Sequence, residues 1–299
     1  MHHLNDFGRS PRLADLAQLV RLPAALSVPG DVLAGAMASA GRPGPRIVGT
    51  MASSVALYWA GMALNDYADA TVDAVERPAR PIPSGRVARR TALATACGLT
   101  VAGLGLAVLT DGRRALGVAV PLAGAVWAYD LRLKSTPLGP AAMAGARALN
   151  VLAGAQPGRR LPALPAALLT GAHTYTLTAL SRHEVTGAPR AVPATALAGS
   201  TATALAAAAL PGLRRRSGTA RIGAAAGALG YLASYGTAQA RAVREPSAAN
   251  VRSAVGTGIM SLMPLQAALT AGAGGAALAG ILAVAHPLAR RLARQVSPT

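Results

Sequence analysis

Acidic residues are scarce in this 299-residue chain: eleven Asp and Glu stand against 29 Lys and Arg, a formal net charge of +18. Cysteine is scarcer. Cys97 stands alone, which excludes an intramolecular disulfide and any cysteine-based metal centre. Lys134 is the one lysine beside 28 arginines, and aromatic residues make up only 3% of the chain. A nucleic-acid-binding protein would gather its basic charge on one face or in one domain, commonly with a recognisable motif. Here the arginines are scattered between apolar runs, as in loops that touch anionic headgroups, so nucleic acid is excluded as a partner. Charge of either sign is also sparse, at 13% of residues against 52% hydrophobic, too apolar a balance for a soluble domain of this length.

What the chain has instead is apolar length. Hydrophobic segments run over 22–40, 47–67, 88–109, 114–130, 138–156, 161–181, 191–211, 219–240, 251–270 and 273–289. Most approach the ~20 residues that cross about 30 Å of hydrocarbon, and in lipid such segments must be helical. Ala, Gly and Leu dominate them, and small residues allow close helix contact. The expectation is an all-α integral membrane bundle of nine to ten transmembrane helices, forming one unit over 1–299. Arg9, Arg12 and Arg21 ahead of an apolar stretch, with Ala36-Met37-Ala38 after it, have the outline of a cleavable signal. Pro23, Pro29 and Asp31 interrupt that stretch, so it reads as a retained first helix. With the N-terminus in the cytoplasm, ten spans divide the loop and terminal basic residues 18 inside to 10 outside; nine spans divide them 15 to 13. The positive-inside tendency favours ten and a plasma-membrane protein whose even-numbered loops, around 66–87, 130–137 and 182–190, cap the cytoplasmic face.

Four of the eleven acids, Asp66, Asp69, Asp73 and Glu76, fall within eleven consecutive positions at the end of the second apolar run. Asp66, Asp69 and Asp73 follow an i, i+3, i+7 spacing, which puts them along one face if the helix continues. Acids near a helix C-terminus meet the negative end of its dipole and need compensation. Either a hard divalent metal or the following arginines, Arg77 and Arg80, would supply it. The stretch Arg77 to Arg86 contains three prolines and cannot be helical, so it reads as an ordered cap. Two further polar loops share that face: Tyr129-Asp130-Leu131-Arg132-Leu133-Lys134 and Ser181-Arg182-His183-Glu184. Carboxylates with Arg and Lys around an apolar cavity suit an amphiphilic ligand with a diphosphate head, Mg²⁺ bridging carboxylates to phosphate and the cations clamping the leaving group. Asp130 reads as a group that orients Lys134. Arg147 and Asn150, inside an apolar span, should face the bundle interior toward an acceptor. Arg21 and Asp31 are candidates to pair across the cavity mouth, and Met143, Met260 and Met263 read as packing.

With those residues set out, the chain resembles the UbiA superfamily of intramembrane prenyltransferases. The first motif of that family, Asn-Asp-x-x-Asp-x-x-x-Asp, is complete at Asn65, Asp66, Asp69 and Asp73, and Tyr129, Asp130, Leu133 and Lys134 match its Tyr-Asp-x-x-Leu-Lys element. The stretches Glu76 to Gly85, Leu138 to Asn150, Ser181 to Val185 and Asn250 to Leu262 look closest to the EboC-like branch. The resemblance implies Mg²⁺ as cofactor, a prenyl diphosphate donor and a polar or aromatic small-molecule acceptor. It also implies roles: Asp66, Asp69, Asp73 and Glu184 for metal; Asn65, Arg77, Arg80, Lys134 and Arg182 for diphosphate; Arg147 and Asn150 for the acceptor; and Lys134, His183 and Glu184 in catalysis. One departure stands out. Where typical members carry a second Asp-x-x-x-Asp motif, this chain has Ser181-Arg182-His183-Glu184, with one acid. Either Glu184 binds a single metal or Arg182 contacts phosphate directly. Cyclisation of the prenyl chain and a non-enzymatic lipid or precursor carrier are the alternatives; the scarcity of aromatics argues against the first and the intact first motif against the second.

Overall fold

A computed structural model describes residues 12–285, and every regular element among them is helical. Runs of Ala, Leu and Gly in hydrocarbon satisfy their backbone groups only by coiling on themselves. In chain order the helices are α1 (Leu13–Leu19), α2 (Val28–Ala40), α3 (Ile47–Ala68), α4 (Ala70–Glu76), α5 (Arg89–Asp111), α6 (Leu116–Ala128), α7 (Gly139–Gly154), α8 (Leu164–Ser181), α9 (Ala191–Leu213), α10 (Gly218–Tyr231), α11 (Thr237–Arg244) and α12 (Ala248–Gly272). Five stretches are long and apolar enough to cross a membrane: α3, α5, Arg113–Leu133 containing α6, α9 and α12. Ala25–Ala40 and Ala276–Ala285 are shorter apolar helices. Arg9 and the basic residues Arg290, Arg291 and Arg294, which weigh in the topology argument, lie outside the described residues.

The first apolar run is not helical from its start. Arg21 adopts a left-handed backbone (φ 49°, ψ 54°), Leu22–Ser27 wind as a tight 3₁₀ turn, and α2 begins only at Val28. Pro29 then sits in the first turn, where a missing N–H costs nothing. Helix α2 is buried almost all round and packs on α3, α7 and α12. Its crossing with α7 is reciprocal and very close. A Cβ on Gly35 would lie 1.8 Å from the Val151 carbonyl oxygen, and one on Gly154 would lie 1.9 Å from that of Val32. Two glycines thus let the backbones touch, and that contact sets Asp31 against Asn150.

The acidic stretch is not one helix. Helix α3 closes at Ala68, Asp69 has φ −88° and ψ 4°, and α4 restarts at Ala70. Backbone bonds from Asp69 N to Asn65 O (2.9 Å) and from Asp73 N to Asp69 O (2.8 Å) carry the chain through the bend. The break has an electrostatic sense: it moves Asp73 from an unfavourable helix end into the first turn of α4, where a carboxylate is favoured.

The main core forms around α12, where Leu262, Leu265 and Ala268 meet Tyr231, Tyr235 and small residues of α7, α8 and α9. A second cluster of Leu19, Leu64, Val87, Ala92 and Ala96 anchors the polar loop that follows α4. Two helices end in wide π-type turns, Tyr129–Leu133 after α6 and Leu232–Gly236 after α10. Such turns insert an extra residue and occur frequently at functional sites.

Candidate active site

Three loops interlock at one end of the bundle. The Lys134 ammonium donates to the Asp69 carboxylate, which ties the loop after α6 to the α3–α4 bend. Arg182 Nη1 donates to the Thr136 carbonyl at 2.8 Å, which ties the loop after α8 to the loop after α6. Glu184 feels Arg77 and Arg252. Burial raises its carboxyl above the ordinary value, and the two guanidinium groups oppose that rise. The Pro-rich segment is ordered by bonds from Val87 N to Pro81 O (2.9 Å) and Ser84 Oγ to Arg80 O (2.6 Å), and it turns at Gly85 with φ +73°.

This ordering aims Arg80 back at the acids. Its Nη1 lies 3.3 Å from Asp66 Oδ1 and also bonds Asp73 Oδ2, so two carboxylates seven residues apart share one cationic nitrogen. Arg77 Nη1 is 3.5 Å from Asp73. From the other side Arg21 Nη2 reaches Asp66 Oδ1 at 3.0 Å and Asn65 Oδ1 at 3.5 Å. The Asn65 amide in turn donates to Asp130 Oδ1 at 3.3 Å. The left-handed Arg21 turn explains how a residue ahead of α2 comes to lie over the end of α3.

Beneath this cluster lies a cavity of about 250 Å³ between α3, α6 and α7. Along α3 it is lined by Ser54, Tyr58, Gly61, Met62 and Asn65, a single helical stripe. Arg21, Asn65, Tyr129 and Asp130 form its polar mouth; Leu57, Leu122, Val126 and Met143 make the wall apolar. Arg147 and Asn150 also line it, below the mouth. There Asp31, with no exposure, accepts from Asn150 Nδ2 at 2.9 Å and Gln266 Nε2 at 2.7 Å, and pairs with Arg147 Nη1 at 3.0 Å. Arg147 also donates to Ser27 Oγ at 2.8 Å. Asn150 Oδ1 is buried and has no partner.

Apart from Arg21 and Val28, the cation–carboxylate cluster of the mouth and the cavity lining sit on the stretch that a model of the UbiA prenyltransferase family matches, residues 31–185. The chain belongs to that family. Digeranylgeranylglyceryl phosphate synthase of Methanopyrus kandleri is 40% identical over 111 residues, covering 37% of this chain and 39% of that protein. The synthase of Methanoregula boonei is 48% identical over 86 residues, 28% of this chain and 30% of its own length. The chain thus matches 30 to 39% of the length of these relatives. Two solved structures share the fold. One, of digeranylgeranylglyceryl phosphate synthase in membranes, gives a TM-score of 0.66 at 17% identity, over 87% of this chain and 98% of that one. The other, a UbiA homologue from Aeropyrum pernix in the apo state, gives 0.59 at 19% identity, over 83% and 97%. The all-α membrane bundle expected for a UbiA protein is therefore the fold this chain has.

The residues singled out in the sequence divide in two. Asn65, Asp66, Asp69, Asp73, Arg77, Arg80 and Lys134 gather at the mouth, and Arg147 and Asn150 reach the cavity wall. Arg182 and Glu184 belong to the interlocked loops, while neither His183 nor Glu184 lines the cavity. Asp130 does, as its only carboxylate. Two pairings differ from expectation. Lys134 bonds Asp69 instead of Asp130, because the wide turn carries it over the α3–α4 bend. Arg21 and Asp31 do not pair. The turn at Leu22–Ser27 separates them, sending Arg21 to Asp66 and Asp31 down to Arg147. Ser27, Tyr58 and Gln266 were not anticipated. An uncharged polar side chain within an apolar run is the signal that marks Gln266.

Among the described residues no three His, Cys, Asp or Glu side chains converge on one metal position. Asp66, Asp69 and Asp73 each pair with a cation instead, among Arg21, Arg77, Arg80 and Lys134. Asp130 accepts from Asn65, and Glu184 feels Arg77 and Arg252. The donor chemistry fits Mg²⁺, since Asp66 and Asp73 are hard oxygen ligands already turned toward one positive centre, the Arg80 nitrogen.

Proposed function

We propose that this protein transfers a prenyl group from a prenyl diphosphate to a small acceptor within the bilayer, as one domain of the plasma membrane with its mouth facing the cytoplasm. The observation that carries the reading is the belt of paired carboxylates and cations directly over an apolar cavity. A diphosphate brings about three negative charges to a mouth whose own charges nearly cancel, so an added cation is needed. Mg²⁺ on Asp66 and Asp73, with Asp69 and Glu184 as further oxygen donors, would supply it and would stabilise negative charge on the leaving group.

The chain's own residues do the rest. Arg21, Arg77 and Arg80 exchange carboxylate for phosphate oxygens and hold the head group, with Asn65 and Arg182 flanking it. Lys134, released from Asp69, meets the charge that grows on the bridging oxygen as the allylic C–O bond breaks. The apolar wall keeps bulk water from the carbon centre. An acceptor hydroxyl oxygen then bonds that carbon and gives up its proton. Asp130, the carboxylate on the wall, is better placed to receive it than His183 or Glu184. Asn150 Oδ1 and the hydroxyls of Tyr58 and Ser54 offer the acceptor its hydrogen-bond partners. The names of the synthase relatives suggest a prenylated glyceryl phosphate as that acceptor, its hydroxyl in the lower cavity and its phosphate at the mouth.

The test is diphosphate release by purified protein with geranyl, farnesyl or geranylgeranyl diphosphate. Geranylgeranylglyceryl phosphate or a phenol serves as acceptor, with Mg²⁺ or EDTA, and products are read by mass spectrometry. Release that requires both Mg²⁺ and acceptor, with a matching conjugate, is expected. Release of a free terpene without acceptor would favour cyclisation. No release from folded protein would overturn the reading.

A further inference from the structure

Two cations line the cavity, Arg21 at the mouth and Arg147 below it. Both pair with an aspartate, and the pairs differ in exposure. The mouth pairs reach solvent: Arg21, Arg77, Arg80 and Lys134 have side chains 37, 56, 22 and 22% exposed, so each can leave its carboxylate for a phosphate. The lower pair is the more enclosed, with Asp31 at 0% and Arg147 at 16%, the least exposed of these cations. Asp31 is held on three sides by Arg147, Asn150 and Gln266, and Gln266 is fixed by a second bond to the Ser27 carbonyl at 2.8 Å. A carboxylate buried in an apolar bundle is costly unless it is paired and hydrogen-bonded. This one compensates the single cation that lines the cavity below the mouth.

We propose that Asp31 is a positioning residue that fixes the direction in which an amphiphilic donor enters. By cancelling Arg147 it leaves the mouth as the one place where a diphosphate can bind, and the lower cavity open to uncharged groups. Gln266 and Asn150 keep Asp31 in that position from opposite helices. An anion-binding lower cavity would hold a diphosphate away from Lys134 and the acidic belt. This assignment rests on the transferase reading for what enters the cavity, but it makes a separate statement about the charge of the wall.

The experiment uses the full-length protein in detergent, titrated calorimetrically with inorganic diphosphate and Mg²⁺. Wild type should bind one diphosphate. Asp31→Asn keeps the shape and uncovers Arg147, so it should bind a second, and inorganic diphosphate should inhibit turnover at least tenfold more strongly. The double variant Asp31→Asn, Arg147→Met should return to one site. Its diphosphate affinity should lie within twofold of wild type, and because it removes both charges together this measurement stands even if Asp31→Asn alone fails to fold. One unchanged site in folded Asp31→Asn, a second site that persists in the double variant, or a tenfold loss of diphosphate binding in the double variant would each overturn the proposal. Absence of any diphosphate binding by wild type would instead count against the transferase reading itself.

Discussion

Gly154→Ala isolates the contact on which the lower cavity depends. The new Cβ would stand 1.9 Å from the Val32 carbonyl oxygen and 2.6 Å from its carbon, and both atoms are backbone that cannot rotate away. Reaching an ordinary contact of 3.4 Å means parting α2 and α7 by roughly 1.5 Å. The Asn150–Asp31 bond of 2.9 Å spans the same crossing and would stretch beyond hydrogen-bond range. Overpacking costs about 1–3 kcal/mol and a lost bond to a charged group about 1.5–3 kcal/mol, so the combined destabilisation is about 2.5–6 kcal/mol. At about 2–4 °C per kcal/mol, thermal unfolding in detergent should shift down by about 5–24 °C. Gly145→Ala is the control on the same helix. Nothing lies within 4 Å of its Cβ, and alanine is the better helix former, so it should melt no lower than wild type. If Gly154→Ala and Gly145→Ala melt together, the backbones are not in the contact described and Asp31 is not placed by it.

Three functional predictions follow from the site. Asp66→Asn should cut Mg²⁺-dependent turnover by about 10²–10³-fold, the scale for losing one electrostatic element of a catalytic site, and size-exclusion and melting should show a folded protein. Lys134→Met should lower kcat by a similar factor of about 10² or more with a smaller change in donor KM, because its charge acts on the leaving group as the bond breaks; an effect confined to KM would refute that role. Asn150→Leu removes the orphaned acceptor oxygen and should raise acceptor KM by about tenfold, more than donor KM, measured by varying each substrate in turn.

The sequence made the mouth legible because its chemistry is local. Asn65 to Asp73 and Tyr129 to Lys134 are contiguous motifs, and their scarcity elsewhere set them apart. The lower cavity was legible only in part. Arg147 and Asn150 are visible as polar residues in an apolar run, but their partner Asp31 stands 116 and 119 positions away and reads from sequence as a candidate partner of Arg21. Only the glycine-mediated crossing of α2 and α7 brings it to them. Gln266 reaches Asp31 across a sequence separation of 235, through helix packing that periodicity does not encode. The bend at Asp69 and the two wide turns were also hidden, since propensity distinguishes poorly between a continuing helix and one that adds a residue. The loss of the second aspartate motif was plain, but its consequence was not. Arg182 turned out to brace Thr136 and Glu184 to face Arg77 and Arg252.

The wide turn at Tyr129–Leu133 makes the loop after α6 unusually sensitive to length. Each residue in a helix advances the chain by about 1.5 Å along its axis. Removing one residue from this turn would restore an ordinary helix and draw Lys134 back toward Asp130 by about that rise. Asp130 and Lys134, which now face Asn65 and Asp69, could not both keep those partners. Surface loops ordinarily tolerate insertions and deletions, so chains of varied length accumulate there over evolutionary time. In this protein the segment from Tyr129 to Lys134 should hold its length while the loops at the opposite end of the bundle vary freely.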